Sequence, residues 1–206
     1  MRKEILIALR ATLVTLILTG ILYPLATTGA AEALFGDRAN GSLAHNESGQ
    51  VVGSELIGQA FASPAYLQGR PSAAGNNGYD ATSSSGSNFG TTSKKLRDRA
   101  VADVARLQKE NPAAPLPIPD ALVTASASGL DPDLSPEAAL WQAPRIARAR
   151  NVAEDRIRAV IENRTQGRDL GFLGEPRVNV LELNLALDQQ FGRPLPQPAT
   201  AAVGSR

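Results

Sequence analysis

A stretch without charged residues between Arg10 and Glu32 constrains this chain more than any other feature of its sequence. Its segment ATLVTLILTGILYPLATTGAA, from Ala11 to Ala31, contains about 21 residues, and a helix of that length reaches roughly 30 Å, the thickness of a bilayer's hydrocarbon core. Basic residues at positions 2, 3 and 10 favour a cytoplasmic N-terminus. We therefore predict residues 1–10 in the cytoplasm, a single transmembrane helix over residues 11–31, and the remaining chain outside.

A cleaved signal peptide is the alternative interpretation of the same segment. The basic start, the apolar centre and the pattern Ala31-Glu32-Ala33 are all typical of one. However, the apolar stretch from Ile5 to Leu25, broken only by Arg10, is longer than the ~7–15 residues of a usual signal. The length favours a retained anchor, and both interpretations export the rest of the chain.

Composition restricts what the exported part can do. The formal net charge of +1 provides no long-range field that would attract nucleic acid. The chain has no cysteine, which removes thiol catalysis, and its one histidine, His45, lies in a polar stretch typical of a solvated loop. We predict no catalytic residue, no metal site, no covalently bound cofactor and no nucleic acid partner.

Residues 36–192 are predicted to form one extracytoplasmic α+β domain, with more helix than strand, followed by a disordered tail over residues 193–206. Hydrophobic spacing and helix-end residues predict several helices. These are Ser93 to Asn111 with Leu96, Val101, Val104 and Leu107 on one face, Ser135 through Gln142, RIARARN after Pro144, Val152 to Gln166 capped by Asn151 and stopped by Gly167, and Asn179 to Gln190.

The remaining segments predict strands and a long loop. Gln50 to Phe61 is typical of a strand or hairpin, and Asp120 to Ser126 of a short buried strand. Ala62 to Thr92 is rich in Gly, Ser and Asn without periodicity, and loops of this length are usually functional or disordered. Because aromatic residues and an arginine recur in it, we predict an ordered loop that makes contacts.

Motifs for familiar chemistry are missing: the sequence has no GxxxxGK[ST], GxGxxG, HExxH or GxSxG pattern. The small-residue turn Ser126 to Gly129 has amides and hydroxyls that could surround a phosphate, but it lacks the cation that phosphate sites usually add. A plain connecting turn is therefore favoured. The run Arg145, Arg148, Arg150 indicates a solvated face, with contact to a partner's carboxylate as the alternative.

Several longer segments, in the same order along the chain, resemble one family. They are TGILYPLA, VVGSELIGQAF, Gly69 to Ala74, Ser85 to Asn88, ALVTASASGLDPDLSPEAALWQAPRIARARN and GFLGEPRVNVLELNLALD. Together they are similar to the C subunit of the bacterial high-affinity potassium-transporting P-type ATPase, the Kdp complex, from about Met1 to Asp188.

The resemblance implies a single-pass accessory subunit in the bacterial inner membrane. Its implied partners are a channel-like potassium-translocating A subunit, a P-type ATPase B subunit, often a small F peptide, and membrane lipid. It further implies a catalytic chaperone that raises the ATP affinity of the B subunit through a transient ternary complex with ATP. The alternative is an extracytoplasmic docking subunit that guides or filters potassium without binding ATP.

The resemblance also directs the choice of candidate site residues. Direct nucleotide contact would use Ser126, Ser128, Gly129 and Gln142. Docking on partners would use the polar loop from Gln68 to Asn88 and the membrane helix. The candidate partner contacts are Arg70, Asn76, Tyr79 and Asn88 in the loop, and Thr12, Thr15, Thr19 and Tyr23 in the span.

The retained anchor can be tested by intact mass spectrometry of the chain purified from membranes. We expect the N-terminal segment through Ala31 to be present, because the apolar stretch is too long for a usual signal peptide. A mature chain that starts near Glu32 or Ala33 would show that the segment is cleaved.

Overall fold

The computed structural model describes residues 1–46 and 48–194, which form two compact units, Met1–Leu43 and a second that begins at Ala44. The helices are α1 (Arg2–Ile17), α2 (Tyr23–Ala39), α3 (Lys94–Glu110), α4 (Pro136–Trp141), α5 (Ala143–Arg150), α6 (Glu154–Asn163) and α7 (Val180–Phe191). The strands are β1 (Leu43–His45), β2 (Val51–Ser54), β3 (Asp133–Leu134) and β4 (Val178–Asn179).

The first unit is a continuous helix, Arg2–Ala39, with a mean hydropathy of 2.3 in its most apolar window. It is long and apolar enough to cross a membrane, as predicted. A π-helical turn, Leu18–Leu22, joins α1 to α2, and the Tyr23 N–H donates to the Leu18 carbonyl. Pro24 follows directly, and because its ring conflicts with the carbonyl four residues earlier, a locally wider turn accommodates it.

This helix extends beyond the predicted span at both ends. Residues 32–39, which follow the predicted span, continue α2, with a break in the helical backbone at Phe35 (φ −140°, ψ 43°). Alanines and the apolar Leu34 support helix here as well as in the span, so composition alone did not mark the end.

The second unit has a helical core with two small sheets. β1 pairs with β2, and β3 runs antiparallel to β4 with Asp133 opposite Asn179 and Leu134 opposite Val178. The largest fully buried apolar side chains come from β4, the long loop and helices α5 to α7: Leu67, Ile146, Ile157, Ile161, Val178, Leu183 and Leu187. The mixed α+β class with more helix than strand is confirmed.

Helix ends that carry a capping side chain are the ones the sequence predicted best. The Ser135 hydroxyl accepts the Ala138 N–H at 3.3 Å at the start of α4. The Asn179 side chain accepts the Glu182 N–H at 3.1 Å at the start of α7, and Gly192 follows its end. These caps depend on residues three positions apart, which a sequence reveals directly.

One predicted helix cap and one predicted strand are wrong. The helix predicted over Val152 to Gln166 is present as α6, Glu154–Asn163, and ends before Gly167. Asn151 does not cap it but adopts a left-handed conformation (φ 53°) that ends α5, because asparagine serves either helix end. The strand predicted from Asp120 is a 3₁₀ turn, Asp120–Leu122, whose backbone bonds are local.

Helix α3 is present with the predicted bounds, but its apolar face is mostly unburied. Leu107 is buried, whereas Val101 is 63% exposed. The predicted tail over residues 193–206 falls, from residue 195 onward, outside the described residues.

Candidate functional site

The segment Pro64–Gln68 of the long loop, which begins in a turn closed by the Tyr66 N–H and the Ser63 carbonyl at 3.1 Å, organises the second unit. It belongs to no strand, yet Ala65 and Leu67 are buried at 2% and 0% exposure. Buried backbone N–H and C=O groups need hydrogen-bond partners. Besides the turn bond of the Tyr66 N–H, the Ala65 N–H donates to the Ser63 hydroxyl at 3.3 Å. The other partners are the side chain of Gln142, which lies between α4 and α5, and side chains of α5 and α7.

Two amide side chains form hydrogen bonds with the backbone of consecutive residues of the segment. The Asn184 side chain accepts the Leu67 N–H at 2.8 Å and donates to the Leu67 carbonyl at 2.9 Å. The Gln142 side chain accepts the Gln68 N–H at 3.0 Å and donates to the Gln68 carbonyl at 3.0 Å. Each amide thus makes the pair of bonds that a neighbouring β-strand would otherwise make.

Two arginines, Arg145 and Arg150, donate hydrogen bonds to the backbone carbonyls of residues 64–66. Arg145 donates to the Pro64 carbonyl at 2.7 Å, the Tyr66 carbonyl at 3.1 Å and the Gln142 side-chain oxygen at 2.6 Å. Burial lowers the pKa of Arg145 to about 10, which leaves it cationic at neutral pH. Its charge therefore strengthens every bond it donates.

Arg150 satisfies the Ala65 carbonyl, which lies between the two carbonyls that Arg145 contacts. It donates to the Ala65 carbonyl at 2.7 Å, pairs with Asp188 at 2.8 Å and lies 5.0 Å from the centre of the Tyr66 ring. The Tyr66 hydroxyl donates to Asp188 at 2.9 Å, and burial together with this carboxylate raises the Tyr66 pKa. We call the side chains of Gln142, Arg145, Arg150 and Asn184 the clamp.

The clamp corrects the interpretation of the basic run. Arg145 and Arg150 were predicted on a solvated face, but their side chains are buried in the clamp. Arg148 is exposed and donates to the Glu110 carbonyl at 2.7 Å. Sequence reasoning also missed Asn184, since a polar residue within an apolar helix was the only local sign of it.

Gln142 also lines an open groove with a volume of ≈ 410 Å³. The groove walls include the apolar Phe61, Leu107 and Leu122. Its charged lining is already paired: Arg106 contacts Asp103 at 3.2 Å and Glu110 at 3.1 Å, and Arg70 contacts Asp131 at 3.1 Å. Both arginines lining the groove are therefore held by carboxylates.

The Ser126–Gly129 turn lies under the long loop. The Gly129 carbonyl accepts the Ser72 hydroxyl at 2.6 Å, and the Ser128 carbonyl accepts the Ser84 hydroxyl at 2.9 Å. Gly129 has φ +68°, and a Cβ there would lie 2.6 Å from the Ser85 carbonyl oxygen and 2.8 Å from Ala74. Ser126 is buried at 4% exposure. The chain's own loop thus occupies the space where a phosphate was considered.

The loop residues predicted to contact partners divide into two pairs. Arg70 is tied to Asp131, and the Tyr79 hydroxyl donates to the Arg70 carbonyl at 2.6 Å, where burial raises the Tyr79 pKa to about 12. Asn76 and Asn88 are exposed to solvent. The loop is ordered by contacts with its own chain, and the two asparagines are its accessible predicted contacts.

The predicted contacts in the span lie on α1, the π-helical turn and α2, in which none of the described residues is buried. The Thr15 hydroxyl donates to the Ala11 carbonyl at 2.9 Å and the Thr19 hydroxyl to the Thr15 carbonyl at 2.7 Å. Thr12 and Tyr23 are exposed. Bonds of this kind let polar residues sit in an apolar helix without an external partner.

Comparison with known proteins gives a consistent result over almost the whole chain. Residues 5–189 match the family KdpC, described as K+-transporting ATPase, c chain. The potassium-transporting ATPase KdpC subunit of Myxococcus xanthus is 58% identical over 206 residues, 100% of this chain and 96% of that protein. The corresponding subunit of Koribacter versatilis is 48% identical over 198 residues, 96% of this chain and 100% of that protein. The KdpC subunit of Methylobacterium nodulans is 53% identical over 188 residues, which cover 86% of this chain and 92% of that protein.

The packing of the loop against the turn can be tested with two glycine substitutions. Gly129→Ala should destabilise the protein by about 3 kcal/mol, because a left-handed alanine and an overpacked Cβ each carry a cost. Gly174→Ala is the matched control, since its φ is +76° but no atom of the described residues lies within 4 Å of the added Cβ. It should cost about 1 kcal/mol.

The measurement is thermal or urea unfolding of the full chain in detergent, followed by fluorescence of the single tryptophan, Trp141, which is 4% exposed. Equal destabilisation by the two substitutions would show that the loop does not pack on the turn.

Proposed function

The chain belongs to the family of K+-transporting ATPase c chains, and from this premise we propose that it raises the ATP affinity of its ATPase partner indirectly, as an accessory subunit of a potassium-import complex. In this proposal its soluble unit docks on the complex outside the cytoplasm. It favours one conformation of the assembly and does not itself touch the nucleotide. One observation supports the indirect character of the proposal: the side-chain amide of Gln142 is engaged with Gln68 and Arg145.

The hydrogen bonds of Gln142 support a mechanism in which this residue does not contact the nucleotide. Its side chain is buried at 2% exposure, with both amide atoms bonded inside the chain. Freeing the Gln142 side chain would leave the Gln68 N–H and carbonyl without hydrogen-bond partners. A buried polar group without a partner costs about 1–3 kcal/mol. The filled turn at Gly129 and the paired arginines of the groove support the same conclusion.

The proposed orientation rests on charge. Arg2, Lys3 and Arg10 precede the span and favour a cytoplasmic N-terminus, which places the second unit on the opposite side from the ATP of a cytosolic nucleotide site. A domain on that side changes nucleotide affinity only if it binds two conformations of its partners differently. The proposed partners are a channel-like A subunit, a P-type ATPase B subunit and a small F peptide.

A second candidate function is docking without any effect on ATP, in which the chain stabilises the assembly and guides potassium at the channel-like subunit. The saturated Gln142 amide fits this function equally well. The two candidates differ in one quantity, the ATP affinity of the complex with and without this chain. A lower KM for ATP in its presence supports the first candidate, and an unchanged KM supports the second.

Substitution of the two clamp amides distinguishes indirect action from nucleotide contact. We expect Gln142→Ala and Asn184→Ala each to destabilise the chain by about 2–3 kcal/mol, since each leaves two backbone groups of the segment unpaired, half-buried at Gln68 and buried at Leu67. We expect the KM for ATP of the reconstituted complex to change in parallel for both. Asn184 serves as the matched control because it grips the adjacent residue in the same way.

The contrary result is equally specific. A rise in the KM for ATP with Gln142→Ala alone, at the same melting temperature as Asn184→Ala, would establish direct nucleotide contact and overturn the indirect mechanism.

Assembly is tested by mild detergent extraction of the tagged chain from potassium-starved cells and mass spectrometry of what accompanies it. We expect a P-type ATPase and a channel-like membrane protein in stoichiometric amounts. Recovery of the chain alone would contradict the accessory role.

A further inference from the structure

A hairpin over residues 166–177, between α6 and β4, carries an exposed apolar tip to which the proposed function assigns no role. Gln166 and Arg177 exchange backbone bonds at 2.8 and 3.0 Å, and Asp169 and Leu173 exchange bonds at 2.9 Å each. An ion pair between Arg168 and Glu175, at 2.8 Å, spans the hairpin. The tip is therefore held in a defined shape.

Three large apolar side chains point away from the protein at this tip. Leu170 is 83% exposed, Phe172 is 70% exposed and Leu173 is 49% exposed. Leu170 also has a positive φ of 53°, a conformation that costs free energy in a residue other than glycine. Adjacent exposed apolar residues held in an unfavourable backbone conformation mark a contact surface better than single exposed leucines do.

We propose that this tip, Leu170 to Leu173, inserts into an apolar socket on the extracytoplasmic side of another protein subunit of the transport complex. The inference rests on the proposed function in one respect, namely that the chain is assembled with other subunits. It adds the contact surface, which is apolar and lies outside the polar loop from Gln68 to Asn88.

The charges beside the tip favour a protein socket over a lipid surface. Surfaces that bind lipid headgroups present free Lys or Arg around an apolar tip. Here Arg168 is paired with Glu175, and Arg177 lies 3.5 Å from Asp133 and 3.9 Å from Asp169. Because the one guanidinium of Arg177 is shared by two carboxylates, the charge of Asp169, 71% exposed and next to Leu170, is only partly compensated and would be repelled by anionic headgroups.

The same carboxylate disfavours a second copy of this chain as the occupant. A symmetric contact between two copies is self-complementary, so the two tips would bring their Asp169 side chains into one interface. Like charges placed together in an interface oppose association. A different protein can place a cation opposite Asp169 beside its apolar socket, which removes this opposition.

Three side chains cover far less than the ~1,000 Å² of a typical stable interface, so the tip is one anchor among several contacts. A central apolar anchor of this kind commonly carries a large share of binding energy. We therefore expect the double variant Leu170→Ser/Phe172→Ser to weaken retention of the chain in the complex at least about tenfold.

The test uses the full chain co-expressed with the other subunits of the transporter. The matched control is Leu56→Ser/Leu116→Ser, which removes two leucines that are 60% and 69% exposed elsewhere in the second unit. Trp141 fluorescence and melting temperature should be unchanged for both variants, since the substituted side chains are exposed. Loss of the partner subunits with the tip variant, and their retention with the control, supports the proposal.

A photo-crosslinking residue in place of Phe172 identifies the occupant. An adduct with another subunit of the transporter supports the proposal. An adduct only with lipid, or only with a second copy of this chain, overturns it.

Failure of the inference differs from failure of the proposed function. If the unsubstituted chain retains its partners and the tip variant retains them equally, the inference is wrong while the accessory role stands. If the unsubstituted chain retains no partner, the accessory role itself is contradicted.

Discussion

The second unit depends on one interaction: side-chain amides supply the backbone hydrogen bonds of Leu67 and Gln68 that a neighbouring β-strand would otherwise supply. Leu67 is fully buried in the core, and its backbone N–H and carbonyl would lack hydrogen-bond partners without the amide of Asn184. Gln142 repeats the arrangement at Gln68, and the guanidinium of Arg145 supports both the segment and Gln142. Because a buried amide without a partner is costly, the segment, α5 and α7 hold one another in place.

This clamp determines what the remaining surface can offer a ligand. Once Gln68 is held, the loop returns across the Ser126–Gly129 turn, and Ser72 and Ser84 bond to carbonyls there. The polar groups that suggested a nucleotide site are thus used inside the molecule. The exposed features that remain, such as the tip of the 166–177 hairpin, suit contact with proteins and fit an accessory subunit.

Helix ends were predictable where a side chain close in sequence provides the signal. Ser135 and Asn179 each accept an N–H three residues ahead, so both helix starts could be identified from the sequence. Asn151 shows the limit of this reasoning, because asparagine suits a helix start and a left-handed helix end equally. The strand expected at Asp120 failed because a strand needs a neighbour, which local sequence does not reveal.

The sequence by itself determined the apolar N-terminal helix, the mixed α+β class and the family, since these depend on composition, on local spacing and on the order of motifs. Only the tertiary structure decided the roles of Gln142, Arg145 and Asn184. Their partners lie 74, 81 and 117 residues away along the chain. A polar side chain in a helix has the same local pattern whether it faces water or a distant backbone, and only folding brings that backbone within hydrogen-bond distance.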